Sequence, residues 1–205
     1  HWSTEKYNPW QEFQLLTNLS NLIDQGYEFD IGLSNVGPKK LIKIINFLKN
    51  KNKKVKSIQV QFSLLSPDIE QQRIVKEICD QYSIDFLAYS PLSFGILCQD
   101  PEIKNINNKS FLRNFIFKIY EKPTLELRYL MKQISNARSA SLAQVAINWC
   151  IYQGAIPIVG LRKKSQVLDI SKALSWTLNQ EEYEMLEKAS RICNKKIPKN
   201  FFSSL

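Results

Sequence analysis

The feature that most restricts the fold of this chain is an alternation of two periodicities. Apolar residues spaced three to four apart, as one face of a helix requires, take turns with short alternating or apolar runs, as strands require. Trp10, Phe13, Leu16, Leu19 and Ile23 predict an amphipathic helix over 10–24, and FDIGLSN at 29–35 predicts a strand. Gly37-Pro38 opens the next helix, because the missing proline N–H costs nothing in a first turn. Leu41, Ile44, Ile45 and Leu48 make its apolar face. SIQVQF at 57–62 predicts a second strand, Ser66-Pro67-Asp68 starts a helix running to about Tyr82, and IDFLAY at 84–89 predicts a third strand. From Ser93 to about Pro123 neither period holds; a connection of that length is functional, mobile, or contains short helices. Helices are predicted again at 124–136 and 141–153, a strand at 155–159 (AIPIV), and helices near 165–174 and 180–192. A polar tail over 194–205 carries Phe201-Phe202.

Helices of more than ten residues between strands imply crossovers, and crossovers imply parallel strands. An open doubly wound sheet and a closed barrel both satisfy this. The six glycines include no GxGxxG spacing, which weakens the open-sheet reading. No repeat and no Gly- or Ser-rich linker interrupts the chain, so one domain over 1–205 is the expected division.

Composition removes several functions. The chain of 205 residues is 44% hydrophobic and 23% charged, as an ordinary globular domain is. No apolar run approaches the ~18–20 residues of a membrane span, so no membrane partner is expected. The opening HWSTEKYNPW lacks the basic start and apolar core of a signal peptide. A chain that begins at His is expected to be processed or cut from a longer one. Cys79, Cys98, Cys150 and Cys193 form no CxxC and share the chain with a single His, so no zinc site is expected. Scattered thiols suit a reducing compartment, the cytoplasm or a plastid stroma. Much of the +9 net charge comes from Lys39, Lys40, Lys43, Lys49, Lys51, Lys53, Lys54 and Lys56. Only Phe47 is interleaved with these lysines, so they read as a solvated face and not as a nucleic-acid surface.

The predicted strand ends carry an ordered set of polar segments: His1-Trp2, IGLSN (31–35), QVQFSLL (59–65), AYSPLSFGIL (88–97) and IPIVGLRKKSQ (156–166). Together these resemble the aldo-keto reductase superfamily. SNVGPKKLIKI, QVQFSLLS and QVAINWCI are similar to plant and cyanobacterial pyridoxal reductase-like members. The resemblance implies an α/β fold, a (β/α)8 TIM barrel of which this chain carries the C-terminal portion, from the end of strand 4 to helix 8. It implies NADPH as cofactor and a small-molecule carbonyl substrate, with pyridoxal a candidate.

By the same resemblance, His1 polarises the substrate carbonyl. Ser34, Asn35 and Gln59 hold the nicotinamide carboxamide, whose donors and acceptor amide and hydroxyl side chains can match. Tyr89 stacks on the nicotinamide. Ser90, Pro91, Leu92 and Gly95 follow the pyrophosphate, and Gly160, Arg162, Lys163, Lys164 and Gln166 meet the adenosine and its 2′-phosphate. Asp169-Ile170 stands where the family carries an acid and an amide, and Leu97-Cys98-Gln99-Asp100 replaces the family's usual turn. The catalytic Asp, Tyr and Lys of the family would lie upstream of His1. The other reading is of a different class: a non-catalytic cofactor-binding derivative.

Overall fold

The structure is a computed structural model that describes residues 11–66, 69–103 and 111–195. These fall into two compact units, one of 11–61 with 69–87 and the other of 62–66 with 88–103 and 111–195.

In the first unit, strands β1 (Ile31–Ser34), β2 (Val55–Gln61) and the start of β3 (Asp85–Tyr89) lie side by side in chain order. β1 and β2 are parallel, with Leu33 opposite Ile58 and Ser34 opposite Gln59. Three helices accompany them: α1 (Gln11–Asp24), α2 (Pro38–Lys49) and α3 (Ile69–Tyr82). The predicted stripe of α2, Leu41, Ile44, Ile45 and Leu48, is buried. Val55, Ile58, Val60, Val75 and Cys79 of the same unit are buried as well. Pro38 begins α2 as expected, and Phe13 of α1 meets the edge of Phe47 at 5.0 Å. The basic run is partly matched by acids distant in sequence: Lys40 pairs with Glu12, Lys53 with Asp24 at 2.5 Å, and Lys56 with Asp85 at 3.2 Å.

The second unit contains the end of β3 and β4 (Ile156–Ile158), which neighbours it. It also contains α4 (Phe111–Glu121), α5 (Leu125–Ala137), α6 (Leu142–Tyr152), α7 (Lys164–Ser171) and α8 (Gln180–Asn194). α6 forms the centre of this unit: every residue from Gln144 to Cys150 is buried. Trp149 stacks on Phe62 with ring centroids 5.0 Å apart and donates its indole N–H to Glu187 at 2.9 Å. Asn148 is fully buried. Its amide donates to the carbonyls of Ala173 and Trp176, and its oxygen accepts from the N–H of Leu178. A buried amide with three partners fixes the chain between α7 and α8 at little desolvation cost.

One stretch left open by the sequence contains short helices, one of the alternatives expected, and one helix is shorter than expected. Within 93–123 the structure places a 3-10 turn at Ser93–Cys98 and the helix α4. The sequence of α4, FLRNFIFKIYE, is amphipathic at the helical period, so the signal was present and was passed over; three Phe and two Ile, poorer helix formers than Ala or Leu, weaken it. The helix expected over 165–174 is instead α7 followed by a 3-10 turn at Lys172–Ser175. Among the described residues no helix is long and apolar enough to cross a membrane, and no His, Cys, Asp and Glu cluster suits a metal ion.

Candidate functional site

The expected site residues of the first unit meet at the C-terminal end of β1. Ser34 lies opposite Gln59 in the parallel register, and the N–H of Asn35 donates to the carbonyl of Gln59 at 2.9 Å. Asn35 adopts φ 54°, a left-handed conformation that asparagine tolerates better than most residues. All three are half-buried. The alternation of β2 buries Ile58 and Val60 and leaves Gln59 between them on the other face.

In the second unit the strand β3 ends at Tyr89, whose carbonyl accepts from the N–H of Phe62 at 3.2 Å. The chain then turns sharply. Ser90, Ser93, Phe94 and Gly95 all have positive φ, at 54°, 46°, 57° and 90°. Three of these four carry a side chain, so the turn is held against its preference. Backbone bonds from Ser93 to Ser90 and from Gly95 to Leu92, each 2.9 Å, close it. Side chains hold it as well. The Ser93 hydroxyl is 2.8 Å from that of Ser63, and Ser63 Oγ also accepts from the N–H of Leu65. Ser66 Oγ accepts from the N–H of Ser63 at 2.9 Å. Sequence reasoning passed over Ser63, Ser66 and Ser93, because hydroxyls in SLLSP and SPLSFG read as ordinary turn residues.

A cleft of about 400 Å³ lies in the same unit, lined in part by Leu92, Gly160 and Gln166. These come from two segments separated by most of the unit, and each was expected on sequence grounds to face one cofactor. Cys98, Asp100, Ser141, Asp169 and Ile170 complete much of the lining. Gln166 also closes the entry of α7, since its Oε1 accepts from the N–H groups of Arg162 at 2.8 Å and Lys163 at 3.0 Å. The side chains of Arg162, Lys163 and Lys164 are exposed. Among the described residues none of the three forms an ion pair.

Two carboxylates face this cleft, and each is restrained. Asp100 takes both its oxygens to Lys132 Nζ at 2.8 Å, and its Oδ1 also accepts from the N–H of Glu102. The Lys132 ammonium, followed by that N–H, holds the Asp100 carboxyl below the usual carboxylate range. Asp169 accepts from Ser141 Oγ at 2.7 Å and from Gln144 Nε2 at 2.6 Å. Gln144 in turn accepts from the indole of Trp176 at 3.2 Å. Ser141 is also the N-cap of α6, accepting from the N–H of Gln144. Sequence reasoning passed over Ser141; the SLAQ spacing is the signal that could have found the cap, whereas nothing local signals the bond to Asp169. His1 and Phe201-Phe202 lie outside the described residues.

Comparison with known proteins decides the family. The aldo/keto reductase family model matches residues 1–191. The chain belongs to the aldo/keto reductase family. Over 204 residues it is 36% identical to the chloroplastic pyridoxal reductase of Arabidopsis thaliana, covering all of this chain and 55% of that protein. It is 26% identical to the probable pyridoxal reductase 2 of Schizosaccharomyces pombe, over 86% of this chain and 54% of that one. The chain thus spans about half the length of the curated relatives it matches. A crystallised thermostable aldo-keto reductase in complex with epalrestat superposes with a TM-score of 0.67 at 19% identity, covering 92% of this chain and 57% of that one. The aldose reductase of Schistosoma japonicum gives 0.64 at 17% identity, covering 92% and 49%. The fold is therefore that of an aldo-keto reductase barrel, an α/β fold with a parallel sheet, and this chain carries part of it.

Proposed function

We propose that the whole protein reduces an aldehyde or ketone to the alcohol with NADPH, pyridoxal being the first substrate to try. One observation carries the reading. Leu92, Gly160 and Gln166, assigned to one cofactor by resemblance alone, line a single cleft. The groups around it suit a dinucleotide. Left-handed backbone at 93–95 and Gly95 leave room for close approach of phosphate oxygens. The exposed Arg162 and Lys163 suit a 2′-phosphate, since Arg presents a fork of donors and Lys a point charge. Asp100 is neutralised by Lys132, so it does not repel an anionic ligand at full strength. Asp169 offers an acceptor to a ribose hydroxyl or a base amine.

When bound, NADPH supplies a hydride to the carbonyl carbon while the carbonyl oxygen gains a proton. The residues of this chain bind and orient. Ser34, Asn35 and Gln59 carry the amide and hydroxyl groups suited to a carboxamide, and Tyr89 offers an aromatic face. Ser90, Pro91, Leu92 and Gly95 form the phosphate loop, and Gly160, Arg162, Lys163 and Gln166 the adenosine end. His1 stabilises charge developing on the carbonyl oxygen, an effect of large weight in such reactions.

The test is to follow loss of reduced-nicotinamide absorbance by the full-length protein with pyridoxal and with benzaldehyde, using NADPH and NADH in parallel. Turnover with NADPH supports the reading. Arg162→Gln with Lys163→Gln is expected to weaken NADPH binding about tenfold or more, as loss of charge-assisted bonds does, and to leave NADH unchanged. Tight NADPH binding with no turnover of either aldehyde would select the non-catalytic reading.

A further inference from the structure

The second unit holds another cleft, of about 580 Å³, that shares no lining residue with the first. Its chemistry is set by Arg128 of α5, a lining residue that is only 3% exposed. Arg128 Nε donates to Thr124 Oγ1 at 3.1 Å, and its Nη2 donates to the carbonyl of Glu121 at 3.1 Å. Thr124 is itself fixed, donating to the carbonyl of Tyr120 at 2.6 Å. The guanidinium is thus anchored between the end of α4 and the start of α5 by two neutral acceptors. A guanidinium has five N–H donors, and these bonds use two of its nitrogens.

Arginine is rarely buried without a carboxylate partner. Among the described residues Arg128 forms no ion pair. Burial lowers its pKa, and the charge of Glu121 leads the opposing influences. The rest of the lining adds positive charge. Lys118 and Lys122 face the cleft against one acid, Glu121. Phe117 and Leu125 supply apolar wall, and the space is of the size that holds drug-sized molecules and exceeds what an inorganic ion needs.

We propose that this cleft binds a small organic anion, a carboxylate on an apolar body. Arg128 takes the carboxylate, Lys118 and Lys122 add attraction, and Phe117 and Leu125 meet the body. A carboxylate is favoured over phosphate because the fork of a guanidinium matches its two oxygens in one plane. The site is independent of the reductase reading.

The experiment is saturation-transfer NMR and calorimetry on the full-length protein with phenylacetate, uncharged phenylacetamide and inorganic phosphate as probes. Saturable binding of phenylacetate, at least tenfold tighter than phenylacetamide and phosphate, is expected. Arg128→Met should abolish the difference between acid and amide, and Arg128→Lys should restore only part of it. Arg128 also ties two helices together, so Lys118→Gln with Lys122→Gln, both exposed positions, provides a variant that folds; it should weaken phenylacetate severalfold without moving the melting temperature. Equal binding of acid and amide, preference for phosphate, or phenylacetate affinity unchanged in both variants would each overturn the proposal.

Discussion

Ser63 and Ser93, thirty residues apart in the chain, share a buried hydroxyl–hydroxyl bond of 2.8 Å. Ser93 is also one of three consecutive residues with positive φ. The bond therefore braces a turn whose local conformation is unfavourable, in the segment expected to follow a pyrophosphate. Ser63→Ala leaves the Ser93 hydroxyl and the Leu65 N–H without this partner. The expected cost is about 1–3 kcal/mol of stability, the usual cost of unpaired buried polar groups. NADPH affinity should fall severalfold, measured by quenching of intrinsic fluorescence. Unchanged affinity in a destabilised variant would show that the pair supports the fold but does not position the loop.

Cys98 is exposed, whereas Cys79, Cys150 and Cys193 are buried. Burial pushes the Cys79 thiol up to about 12 and raises that of Cys150 as well. A thiol reacts as its thiolate, so these two should be inert in the native state. With a chromogenic disulfide reagent, Cys98 is expected to label first among the four, as located by peptide mass spectrometry. Because Cys98 lines the same cleft as Gly160 and Gln166, saturating NADPH should slow its labelling about tenfold. Labelling at the same rate with and without nucleotide would place the cofactor elsewhere.

Asn148 joins α6 to the segment between α7 and α8 through three hydrogen bonds made by a fully buried side chain. Asn148→Leu keeps the approximate volume and strands two carbonyls and one N–H. Urea denaturation should report a loss of about 2–5 kcal/mol, since each unmet group costs about 1–3 kcal/mol and partial solvation recovers some of it. A loss below about 1 kcal/mol would mean that water replaces the amide.

Glu182 caps the start of α8 and receives Arg138 in two bonds of 2.9 and 2.8 Å. The Arg138 guanidinium foremost, then the N–H of Asn179, hold its carboxyl below the ordinary value. A depressed carboxylate stabilises fully above its unfolded-state pKa, about 4.3, and loses that contribution as pH falls through the lower folded value. Glu182→Gln should therefore melt below the wild type at neutral pH, by roughly 1 kcal/mol of stability. The gap should close as the pH drops below about 4. A gap that persists at low pH would assign the effect to packing.

The elements of the first unit were readable because their periodicity is clean. The stripe Leu41, Ile44, Ile45 and Leu48 names the buried face of α2 without ambiguity, and Pro38 marks where it starts. The alternation of β2 isolates Gln59 between Ile58 and Val60. α4 has a comparable amphipathic pattern but is built from Phe and Ile, poorer helix formers, and it was passed over. The 3-10 turn at Ser93–Cys98 escaped because its left-handed residues include Ser93 and Phe94, types that carry no signal for that conformation.

The sequence by itself determined the alternation of strand and helix, the parallel arrangement it forces, and the family whose strand-end segments it carries. Those depend on local periodicity and on residues close together in the chain. Only the tertiary structure decided which side chains share a cleft. Asp169 is held by Ser141 and Gln144, some twenty-five residues away, and Asp100 by Lys132, some thirty away. Ser63 is joined to Ser93, and Trp149 to Glu187. Such pairings arise from packing between elements, and the spacing of residues along a chain does not encode which elements will meet.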